Sequence, residues 1–96
     1  MKRPEHMQRF EQALGSESPG PSLWDLAHAL RDEGVSQIDL YFLYEHYHLL
    51  FQGDDPKADA ITDAMDIIWG GGWAKGRDLY PHELTSEEIA EYRASA

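Results

Sequence analysis

Residues 36–52, SQIDLYFLYEHYHLLFQ, carry apolar side chains on two faces at helical spacing, and a helix of that kind has to be covered from two sides. At about 100° per residue, Leu40, Leu43, Tyr44, Tyr47, Leu50 and Phe51 form one broad stripe, and Ile38, Phe42 and Leu49 form a second. Between them runs a polar ridge of Tyr41, Glu45, His48 and Gln52. The segment is therefore read as the central helix of its domain. Its second stripe is to be covered by other helices of the chain or, in a homodimer, by a second copy through Ile38, Phe42 and Leu49.

The flanking sequence supplies further helices and no strand pattern. Met7, Phe10, Ala13 and Leu14 give a core face to a helix over Pro4–Leu14, with Glu5 and Arg9 at i, i+4 and Gly15 closing it. Residues 15–22, rich in serine, proline and glycine, read as a loop. Ser22 with Asp25 three residues on reads as the start of a second helix, whose Leu23, Leu26, Ala27 and Leu30 face the core until Gly34. Ser36 with Asp39 caps the central helix, and Gly53 stops it. Asp54-Asp55-Pro56 then restarts the chain into a helix to about Trp69 that buries Ile61, Ala64, Met65 and Ile68. Residues 70–84 read as a glycine-rich, aromatic loop pinned to the core by Trp73, Leu79 and Tyr80; Thr85 and Glu88 form a capping box for a last short helix through Ile89 and Tyr92. The expectation is one all-α domain over 1–96, four or five short helices packed around the helix at about 36–52.

A chain of 96 residues buries a core large enough to need no staple, and it has no cysteine, which removes disulfides, thiolate nucleophiles and cysteine-ligated zinc. No apolar run reaches the roughly 18 to 20 residues of a membrane span, and Met1-Lys2-Arg3 leads into Glu5 rather than a signal core, so a cytoplasmic location is expected. The formal charge of −10 argues against nucleic acid and anionic membrane and for a basic protein partner. The charge is concentrated in the middle of the chain: Lys57 is the single base between Asp32 and Trp73.

Three carboxylates in that middle region share a helix face, Asp59, Asp63 and Asp66 at i, i+4, i+7. The Asp59/Asp63 like-charge pair costs about 0.2–0.5 kcal/mol, and Asp66 lies at the end of its helix where the dipole disfavours an anion. They are taken as partner-binding residues, together with Tyr41, Glu45 and His48 of the ridge and Tyr80. A solvated polar face is the bland alternative. Glu45 and His48 are spaced to touch, but no nucleophile or pocket accompanies them, and no catalytic, cofactor or metal residue is assigned. His46 and His48 lie about 200° apart on a helix and cannot share a metal, and nothing in the spacing of His6, His28 and His82 brings them to His48. GGGWAKGR lacks the order of a phosphate loop.

The segment DLYPHE, Asp78 to Glu83, resembles the tyrosine-bearing helix that nuclease-colicin immunity proteins insert into a nuclease. The likeness covers those residues alone, and a long glycine loop precedes them here. It implies a precedent for gripping a basic enzyme with acids and a tyrosine. The expected function is accordingly a non-enzymatic, acidic protein-binding module of inhibitor, immunity or antitoxin type. The alternatives are a homo-oligomeric structural module and, at lower weight, a metal-dependent enzyme using Glu45, His48 and the aspartates.

Overall fold

The computed structural model describes residues 4–53, 55–69, 79–80 and 83–95. Among them are five helices and no strand: α1 (Pro4–Leu14), α2 (Pro19–Asp32), α3 (Gln37–Leu50), α4 (Asp55–Trp69) and α5 (Ser86–Ser95). The all-α reading holds, with α3 in the interior between α1, α2 and α4 on one side and α5 on the other.

One face of α3 is interlocked with its neighbours through rings. Phe10 of α1 stacks on Tyr47 at 4.3 Å between centroids and meets Tyr44 edge-on at 4.7 Å. Both tyrosines use their hydroxyls internally. Tyr44 donates to the carbonyl of Leu23, and Tyr47 donates to Glu11 Oε2 at 2.6 Å. Leu23, Leu30, Leu40, Ile61, Ile67 and Ile68 fill the space around them with no exposed surface.

Helix ends show how local sequence sets these positions. Ser36 caps α3 by accepting from the Asp39 N–H at 3.3 Å and donating to Asp39 Oδ2 at 3.0 Å. Thr85 accepts from the Glu88 N–H at 3.1 Å, as the capping box requires. Gly34 takes φ 97°, with its N–H on the Arg31 carbonyl and the Val35 N–H on Leu30, the bond pair of a Schellman end. The start of α2 corrects the sequence expectation. The helix begins at Pro19, not at Ser22, so the expected 15–22 loop ends early. First-turn N–H groups have no intrahelical acceptor, so Pro19 and Pro21 lose nothing there. Ser18 stands at the N-cap without capping through its side chain, and the Ser22 hydroxyl lies 2.8 Å from that of Ser16.

The C-terminal end of α4 is buried, and its last carbonyls are met by three separate parts of the chain. Leu79 N–H bonds the Ile67 carbonyl at 2.9 Å, Gln37 Nε2 bonds Ile68 at 2.9 Å and Trp69 at 3.2 Å, and Leu84 N–H bonds Trp69 at 2.9 Å. This is how Leu79 and Leu84 are pinned. Leu79 is buried as expected, and the Tyr80 hydroxyl donates to the Val35 carbonyl at 2.7 Å. Leu79 and Tyr80 form a bend rather than a helix, which departs from the helix that the immunity-protein likeness implied. Trp73, the GGGWAKGR stretch, and Asp78, Pro81 and His82 of that likeness lie outside the described residues; Glu83, its last residue, is exposed and accepts from Trp69 Nε1 at 3.0 Å.

Two further expectations change. Leu50, placed in the broad core stripe, is 63% exposed, because α3 ends there and the rings of α1 meet it no further along than Tyr47. Of the second stripe, Ile38 is half-buried and Phe42 is buried, covered within the chain by α5, while Leu49 remains 57% exposed. No second copy is needed to cover Phe42.

Candidate partner-binding surface

α4 packs Ala60, Ile61, Ala64, Ile67 and Ile68 against α2 and α3, and this fixes the direction of everything else on the helix. Asp59, Asp63 and Asp66 fall on the opposite side and are all exposed. Among the described residues none of them enters an ion pair or a hydrogen bond, whereas Thr62 beside them bonds back to the Ala58 carbonyl at 2.8 Å.

The basic side chains of the described residues are engaged elsewhere. Arg9 forms a two-pronged pair with Glu33 across α1 and α2, both contacts 2.8 Å, with the Glu5 charge acting on it as well. The Glu33 hydrogen bond raises the Arg9 pKa, and the same bond lowers that of Glu33. Arg31 reaches Asp32 at 2.9 Å, Arg93 reaches Glu45 at 2.6 Å, and Lys57 lies over the Phe51 ring at 5.1 Å. The three aspartates thus present charge outward with no cation of the described residues set against them.

The ridge of α3 is built differently. Tyr41 lies against Trp69 of α4, with ring centroids 5.5 Å apart, and its pKa is pushed up to about 12 by burial and then by the neighbouring Glu45 carboxylate. Glu45 turns toward α5 and Arg93 rather than toward His48. His48 is half-buried and makes no hydrogen bond or ion pair among the described residues, and Gln52 is exposed. The Tyr80 hydroxyl is committed to Val35, and burial holds its pKa near 12. The structure therefore gathers the aspartates on one outer face, places Tyr41 on the flank where α3 meets α4, and directs Glu45 and Tyr80 inward to partners of the chain's own.

Tyr92 and Arg93 belong to this picture and were not singled out from sequence as site residues. Tyr92 stacks on Phe42 at 4.6 Å and 14° between planes and donates to Asp39 Oδ1 at 2.7 Å; Arg93 sits over the same Phe42 ring at 5.4 Å. The only signal was their adjacency at the end of a helix that lacks a continuous apolar stripe. Among the described residues, no group of three or more His, Asp or Glu side chains is placed to hold a metal ion, and no helix is long and apolar enough to cross a membrane.

No protein-family model, no curated protein and no solved structure matches this chain.

Proposed function

We propose that this chain is a small acidic protein-binding module, acting without catalysis as an inhibitor or antitoxin-type protein in the cytoplasm and neutralising a basic partner through the outer face of α4. One observation carries the reading: Asp59, Asp63 and Asp66 are exposed together and have no compensating cation among the described residues. A fold gains nothing from such an arrangement, since like charges at i, i+4 repel and Asp66 opposes the helix dipole. A basic partner does gain, because opposite charge speeds diffusional encounter and fixes orientation. Tyr41, beside the same helix end, offers an aromatic edge to the contact.

The test replaces Asp59, Asp63 and Asp66 by Asn together and uses the full chain as bait. The triple variant is expected to fold as the parent does. It should lose capture of the parent's basic partner, with the remaining association slower and much less sensitive to salt. Capture of the same partner at the same salt dependence would remove the acidic face from the proposal. A second reading, a homo-oligomer, draws on the exposed Leu49 and Leu50. It requires a melting temperature that rises with protein concentration, and a concentration-independent monomer rejects it.

A further inference from the structure

α5 covers α3 with no fully buried residue among those described: Glu88, Ile89 and Tyr92 are half-buried and the other described side chains are exposed. Phe42 beneath it is only 9% exposed. The contact is unequal, with α3 supplying a buried aromatic ring flanked by Asp39 and Glu45 and α5 supplying an aromatic ring followed by a guanidinium. An element with no buried side chain is the kind that opens locally while the rest of a fold persists. α5 is also mechanically separable, because the chain is anchored just before it by Leu84 on the Trp69 carbonyl. When α5 leaves, Ile38 and Phe42 join Leu49, which is already 57% exposed, along one face of α3.

We propose that α5 is a displaceable strap, and that the face of α3 it uncovers accepts instead a partner's helix that carries an aromatic residue followed by Arg. α5 itself defines that chemistry. The Tyr92 ring lies on Phe42, its hydroxyl donates to Asp39, and the Arg93 guanidinium is shared between Glu45 and the Phe42 face. Tyr92 lies beside Asp39 and Phe42 and Arg93 beside Glu45, and Leu49, one turn beyond Glu45, is left bare. A longer amphipathic helix with the same pair reaches Leu49 as well, and so can outcompete a strap that has the advantage of being tethered. The inference concerns α3 and stands apart from the aspartates of α4.

Two measurements on the full chain test it. In native-state hydrogen exchange, α5 amides should exchange by a local opening, well ahead of those of α2 and α4. A fluorescent synthetic peptide of residues 83–96 then serves as the competing helix. Anisotropy should show it binding the Tyr92→Ala/Arg93→Ala variant at least about tenfold tighter than the parent, whose own strap competes at an effective concentration on the millimolar scale. Adding Glu45→Gln should weaken that binding. α5 protection equal to that of α2, loss of α2 protection in the double variant, or equal peptide affinity for variant and parent would each overturn the strap. Dimerisation of the double variant would replace the proposed occupant with a second copy.

Discussion

The two faces of α3 carry comparable apolar residues and end in different states. On one, Leu40, Leu43, Tyr44 and Tyr47 are locked between three helices, with rings stacked and hydroxyls bonded to α1 and α2. On the other, Phe42 is buried by a helix whose described side chains are at most half-buried, Ile38 is half-covered and Leu49 is open. What differs is the opposing surface rather than the residues of α3. A helix that interdigitates fully buries side chains of both partners, whereas one whose own side chains stay half-exposed adds less transfer and dispersion energy.

Alkali should break the fold most completely, because both faces rely on protonated tyrosines. Burial raises the pKa of Tyr44 and Tyr47 on the locked face, and Tyr41 on the flank toward α4 and Tyr92 of α5 are pushed to about 12 by burial and the adjacent carboxylates. Raised folded values mean that this stability is fully present below the unfolded pKa of about 10 and is lost as pH climbs through the folded values. Denaturation midpoints should fall steadily from about pH 10 to 12; a flat profile would show that the hydroxyls ionise without opening the core. Next in size, Tyr44→Ala should cost about 3–5 kcal/mol in urea titration and Phe42→Ala clearly less. Equal losses would erase the distinction between the faces. Gln37→Ala should cost about 1–3 kcal/mol, since it strips buried carbonyls of their donor. Leu50→Ala should stay within about 0.5 kcal/mol, and a core-sized loss would mean that something covers the end of α3.

Where the sequence carries its own geometry, it was legible. Ser36 with Asp39, Thr85 with Glu88 and Gly34 each act within one turn of backbone, and each appears as read. Leu79 and Tyr80 were legible as anchors because apolar side chains in a loop have few other uses. Pro19 was misread because proline breaks a helix interior and starts a helix equally well, and only the backbone position tells which. Leu50 and the cover of Phe42 were beyond reach for another reason: periodicity gives the direction of a side chain and says nothing of what stands opposite. The aspartates of α4 were legible as a face, while the turning of Glu45 to Arg93, far along the chain, was not.

The chain leaves α4 at Trp69 and comes back to the same spot, Leu79 bonding Ile67 and Leu84 bonding Trp69 itself. The chain on either side of residues 70–78 is therefore tied together by the rest of the molecule. The end of α4 thus sets where the chain re-enters the fold.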